Sequence, residues 1–139
     1  MADKVITRWK GNTLFEADNP SGKTFLMDTS PKDGEFSAGL RPKALMLASL
    51  AGCSGLDVAS ILDKMRVKVS DFRIEVTGEL TDEDPKYYHT VSVEYHFFGA
   101  DLPQEKLQKA VDLSVEKYCG VMEMFRKFAD VQTSIHYHE

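Results

Sequence analysis

The sequence predicts an α+β fold in a single domain spanning residues 1–139. Segments with the period-two alternation of strands flank one long, strongly apolar helical segment, and a second, amphipathic helical segment follows with apolar residues three and four apart. No internal repeat or low-complexity tract breaks that order, which suits helices packed on mostly antiparallel strands. A chain of 139 residues with 42% hydrophobic and 28% charged residues has an ordinary globular composition and buries about two thirds of its unfolded surface.

The first third reads as a small antiparallel meander. Val5–Trp9 has strand propensity, Lys10–Thr13 supplies a turn, Leu14–Ala17 a second strand, Asp18–Gly22 a second turn, and Lys23–Asp28 a third strand. Thr29–Gly39, with Pro31, Gly34 and Gly39, is expected to be a loop. A helix is then predicted over Pro42–Met65, with proline acceptable in its first turn. Its apolar residues exceed a single stripe, so it is expected to be covered on most sides. Gly52 and Gly55 bracket Cys53 and each costs about 1 kcal/mol of helix propensity relative to alanine, which points to close approach or a kink.

Beyond the helix, Val67–Leu80 alternates with a break near Ser70-Asp71, Thr81–Pro85 forms an acidic turn, and His89–Phe98 is the partner strand with Val91, Val93, Tyr95 and Phe97 on one face. From Pro103 an amphipathic helix presents Leu107, Ala110, Val111, Ser114, Val115 and Tyr118 on its apolar face. Gly120 interrupts it, and Gln132–Tyr137 reads as a closing strand.

Charge and pattern narrow the function. Seventeen Lys and Arg against 22 Asp and Glu give a formal charge of −5, with no basic run to follow a phosphate backbone, so nucleic acid is not an expected partner. No stretch reaches the roughly 18 contiguous apolar residues of a membrane span, and Met1–Lys10 lacks a signal-peptide core. A cytoplasmic protein with no membrane partner is the expectation.

Only two cysteines occur, Cys53 and Cys119, 66 positions apart. That is too few for a disulfide framework or a four-ligand zinc site, so neither a metal nor a cofactor is expected. Both lie in segments that read as helical, beside glycine, in Gly52-Cys53-Ser54-Gly55 and Tyr118-Cys119-Gly120. Buried packing is one reading of each cysteine. The other is a pair meeting where helices cross, in which one thiolate attacks a peroxide O–O bond and the second thiol captures the sulfenic acid. Such a thiolate needs a cation, yet Asp57, Glu116 and Glu123 are the charges close in sequence. Arg8 and Arg41 are the candidate cations. At about 1.5 Å rise per residue, Arg41 lies roughly 18 Å from Cys53 along the helix, so it cannot serve from within it.

The block Arg41–Val58 with Ile61–Arg66, and the later Val111–Val121, resemble the two cysteine segments of the OsmC/Ohr family of thiol peroxidases, in its OsmC-like branch. The resemblance implies antiparallel sheets wrapped around a buried central helix, and an intertwined homodimer. It also implies two interface sites that reduce organic hydroperoxides, in oxidative or osmotic stress, with an external dithiol as reductant. It assigns Cys53 as peroxidatic and Cys119 as resolving, and adds an arginine, for which Arg8 and Arg41 are the candidates. A family glutamate near the start of the central helix is replaced here by Ala44. A non-catalytic dimer holding a hydrophobic small molecule in an interface cleft is the alternative. Leu50, Leu56, Met122 and Phe125 offer an apolar approach for an organic tail, or else are core.

Other signals are set aside. His136 and His138 share a strand face without an evident carboxylate constellation, and His89 and His96 fall on opposite faces of a regular strand. Ser54 has no triad context, and Arg8-Trp9-Lys10 is too short for a nucleic-acid surface.

Overall fold

The computed structural model describes residues 1–29 and 37–139; most of the loop expected over Thr29–Gly39 lies outside the described residues. The chain forms two compact units, Met1–Met46 and Leu47–Glu139.

In the first unit, β1 (Thr7–Trp9), β2 (Phe15–Ala17) and β3 (Phe25–Met27) form the expected antiparallel meander in the order β1-β2-β3. The β1–β2 turn works because Gly11 and Asn12 accept positive φ, 106° and 48°. The Lys10 N–H donates across this turn to the Leu14 carbonyl at 2.8 Å, and the Trp9 indole N–H to the Asn12 carbonyl at 2.8 Å.

Helix α1 (Pro42–Met65) begins at the predicted proline. It ends where Arg66 turns left-handed at φ 59°, with the Val67 N–H donating to the Leu62 carbonyl at 2.9 Å and the Arg66 N–H to that of Asp63 at 3.0 Å. This is a Schellman closure with an arginine where glycine is commonest. The helix buries one stripe, Leu50, Ser54, Val58 and Leu62, at four-residue spacing. Among the described residues the expected cover on most sides is not made, and Leu56 is 76% exposed. One sheet covers only a stripe of a 3.6-residue helix; Leu47, Cys53 and Ile61 are partly buried beside that stripe, while Met46 and Leu56 stay exposed. Full burial of Leu50, Val58 and Leu62 contributes about 1.5–3 kcal/mol each. Among the described residues, α1 is the one helix long and apolar enough to cross a membrane. Counting contiguous apolar residues missed that property, because serines, glycines and Asp57 interrupt the run without lowering its average far enough.

In the second unit, β4 (Asp71–Leu80) and β5 (Tyr88–Phe98) form a long antiparallel hairpin, starting just after the predicted break. The chain continues through α2 (Gln104–Leu113), a π-helical turn (Ser114–Tyr118), α3 (Gly120–Arg126) and β6 (Asp130–His138). The expected antiparallel pairing holds for β1-β2-β3 and for β4 with β5, but β6 departs from it and runs parallel to β5, in register from Thr90↔Asp130 to Phe98↔His138. Two helices between β5 and β6 give the chain the length a parallel return requires. The sheet is mixed, in the order β4-β5-β6.

Being central, β5 buries all of its predicted face, Val91, Val93, Tyr95 and Phe97. Leu107, Ala110 and Val111 of α2, and Met122 and Phe125 of α3, pack against that face together with the α1 stripe. Two glycines permit these approaches. A Cβ at Gly55 would meet Ile74 Cδ1 at 3.3 Å, and one at Gly78 would meet the Tyr88 ring at 2.5 Å. Among the described residues a Cβ at Gly52 would meet nothing within 4 Å, so of the two readings the close approach is not made there. Tyr118, predicted on the buried face, is 53% exposed, because the wider π turn rotates the side chains that follow Ser114.

Candidate active site at the cysteine pair

Cys53 sits within α1, half-buried, while Cys119 is 4% exposed. Both are free thiols, and the Cys53 sulfur lies close enough to Cys119 to raise its pKa. The pair foreseen from the sequence therefore meets. Cys119 is not helical, however. Its backbone is extended, φ −78° and ψ 102°, between the π turn and α3. The Cys119 N–H donates to the Ser114 carbonyl at 2.9 Å, the five-residue bond that makes the turn π-helical. The extra residue lets the chain leave the helix at Cys119 and restart at Gly120, which turns the thiol toward α1. Cys119 then caps α3, its sulfur accepting the Met122 N–H at 3.3 Å.

The Cys119 thiol is pushed up to about 11, chiefly by burial. The Met122 N–H acts against this, while the Cys53 sulfur and the Asp57 carboxylate add to it. Cys119 thus holds its proton at neutral pH and presents it to Cys53. The Arg126 guanidinium steadies the segment by donating to the Val115 carbonyl inside the π turn.

Beside the thiols runs a buried hydroxyl chain. Ser114 Oγ donates to Asp57 Oδ2 at 3.0 Å, which leaves it to accept from Ser54 Oγ at 2.7 Å, and Ser54 in turn to accept from the Tyr95 phenol at 2.6 Å. Burial pushes Tyr95 up to about 12, so the phenol keeps the proton it donates. Among the described residues, no fully buried side-chain nitrogen or oxygen lacks a partner. Ser54 is adjacent to Cys53, so the chain fixes the α1 turn that carries the thiol against β5 and the π turn. Sequence reasoning missed this network. Its signal was one hydroxyl in each of three otherwise apolar faces, since buried hydroxyls need one another.

The remaining expectations divide. Leu50, Met122 and Phe125 are core, whereas Leu56 is exposed and open to an approaching apolar group. An open cleft of about 440 Å³ is lined by Asp57, Ile61, Lys64, Lys109 and Tyr118, at the carboxylate end of the hydroxyl chain. Arg8, exposed in β1 and paired in register with Glu16, and Arg41, exposed just before α1, both belong to the unit Met1–Met46. The cysteine pair belongs to Leu47–Glu139.

The chain is similar to several known proteins. The chain is 34% identical over 127 residues to Protein YhfA of Escherichia coli, covering 91% of this chain and 92% of that protein. It superposes on a hypothetical protein from Aquifex aeolicus with a TM-score of 0.86 and 28% identity, covering 100% of this chain and 98% of the other. It shares its fold with the organic hydroperoxide resistance protein OhrB of Bacillus subtilis, at a TM-score of 0.66 and 22% identity, covering 97% of this chain and 98% of the other. Residues 32–134, which include both cysteines and the elements that position them, match the model of the OsmC-like protein family. The chain belongs to the OsmC-like protein family.

Proposed function

We propose that this protein reduces organic hydroperoxides through a two-thiol cycle at Cys53 and Cys119, acting in the cytoplasm as an intertwined homodimer in oxidative or osmotic stress. The observation that carries the reading is the close approach of a half-buried cysteine, Cys53, to a buried one, Cys119, that retains its proton. The fold shared with an organic hydroperoxide resistance protein supports it. So does the apolar surface that α1 leaves uncovered, Leu56 above all, which a second copy would cover.

Cys53, the more accessible thiol, attacks as thiolate the terminal oxygen of the hydroperoxide. An S–O bond forms as the O–O bond breaks, and the alkoxide takes a proton and departs as the alcohol. Arg8 or Arg41 of the dimer steadies the developing charge. Cys119 sulfur then attacks the sulfenic acid, forming S–S as S–O breaks, with hydroxide leaving as water after taking the thiol proton. An external dithiol returns both thiols by exchange and is itself oxidised to a disulfide. No nucleic acid, membrane, metal or cofactor takes part in the cycle.

One observation favours a second reading, a dimer that binds a hydrophobic molecule without chemistry: Ala44 cannot hold an arginine in place as a carboxylate would. Steady-state consumption of cumene hydroperoxide with dithiothreitol decides between them. Sustained turnover, faster than with hydrogen peroxide, is expected. Unconsumed peroxide with both thiols intact would overturn the catalytic reading and leave the binding one.

A further inference from the structure

The parallel pairing of β6 with β5 creates a second constellation, on the sheet face opposite Val93, Tyr95 and Phe97. Register sets Glu75 opposite Glu94 across β4 and β5, and His96 beside His136 across β5 and β6. His96 Nε2 lies 3.2 Å from Glu94 Oε1 and 3.3 Å from Glu75 Oε2. His136 Nε2 lies 3.8 Å from the same Glu94 Oε1. One donor atom each from Glu94, His96 and His136 falls within 4.8 Å of the other two. The carboxylate constellation that the sequence did not show is therefore present, assembled by strands distant in the chain.

We infer that Glu94, His96 and His136 form a binding site for a divalent transition-metal ion of the zinc class, with the fourth position open to water. A tetrahedral ion with bonds of about 2.1 Å needs donors about 3.4 Å apart. The two measured edges to Glu94, 3.2 and 3.8 Å, bracket that value. The third closes by movement of His136, the more exposed of the two rings, stacked on His96 at a 4.6 Å centroid separation.

Two further features fit an ion. His96 Nδ1 is 2.9 Å from His138 Nε2, so the nitrogen facing away from the site has a partner. That is how a ligating histidine is held with its other nitrogen directed at the metal. Glu75 and Glu94 are like charges directly opposite each other, a destabilising pair on a sheet. Arg73 pairs with Glu75 at 2.8 Å, while the partners recorded for the Glu94 carboxylate are the two histidines. A cation between those histidines answers the remaining charge. Two imidazoles and one carboxylate suit zinc, cobalt, nickel or copper, and supply too few oxygens for calcium. Bound there, the ion would tie β6 to the central strand.

The test titrates Co²⁺ into untagged, metal-free full-length protein. One equivalent is expected to bind with the visible absorption of a tetrahedral nitrogen–oxygen site and without a thiolate charge-transfer band, unchanged in Cys53→Ser. Glu94→Gln and His136→Asn each remove a direct ligand and should weaken binding by more than the roughly 10- to 100-fold that loss of an outer-shell partner costs. Because a variant can lose the fold, ring resonances of the wild-type histidines are followed with Zn²⁺ alone. Those of His96 and His136 should shift while His89 stays in place. Absence of saturable binding, a thiolate band lost in Cys53→Ser, or folded variants that bind like the wild type would overturn the inference.

Discussion

Cys53→Ser should abolish dithiol-supported hydroperoxide turnover, lowering kcat/KM by on the order of 10³-fold or more, as expected when a nucleophile is removed. Serine nearly matches cysteine in volume, and the site is only half-buried, so thermal unfolding should change little. Cys119→Ser should behave differently. Its first turnover survives because Cys53 is untouched, and the reaction stops at a sulfenic acid that a dimedone-type reagent traps. This asymmetry follows from the geometry. Cys119 is sealed beneath the π turn, with its pKa pushed up to about 11 and its proton directed at Cys53. Rapid quench of one equivalent of cumene hydroperoxide separates the variants. Full first-turnover loss in Cys119→Ser with retention in Cys53→Ser would exchange the two roles.

Phe97→Ala should be the most damaging substitution for the fold, costing about 3–5 kcal/mol, as a large aromatic does when removed from a packed core. Phe97 is fully buried on the central strand. Its ring stacks on Phe72 of β4 at 4.6 Å with 5° between planes, and lies 6.4 Å from Tyr137 of β6. One side chain thus joins all three strands of the second sheet. Against a total stability of roughly 5–15 kcal/mol, its loss is a large fraction. Urea unfolding at fixed protein concentration, which matters for any chain that dimerises, should show a much lower midpoint with little change in slope. A midpoint shift equivalent to less than about 1 kcal/mol would mean the ring is not the packing centre that its stacking implies.

What the sequence made legible is what local chemistry determines. Pro42 marked the start of α1, and alternation marked the buried face of β5, because each signal is contained within its own element. The α1 stripe was hidden inside a wider apolar excess, since nothing local distinguishes residues packed on the chain's own sheet from those left uncovered. The direction of β6 depends on where two helices return the chain, so the parallel pairing was not readable. With it went the meeting of His96, His136 and Glu94. The bend at Cys119 depends on a single π turn, which hydrophobic spacing tolerates without trace, and Tyr118 was placed on the wrong face for the same reason. The cysteine pair, 66 positions apart, was legible as one of two readings from its glycine-flanked segments, and resemblance to a family with two such segments chose between them. The hydroxyl chain of Tyr95, Ser54, Ser114 and Asp57 was visible as four residue types but not as one network.

The most direct test of the two-thiol cycle is the intact mass of the fully reduced protein, freed of reductant and given near-stoichiometric cumene hydroperoxide. Rapid loss of about 2 Da from the single chain, with no disulfide between chains and no such loss in Cys53→Ser, is the predicted result. Unchanged mass with both thiols still titratable would contradict it.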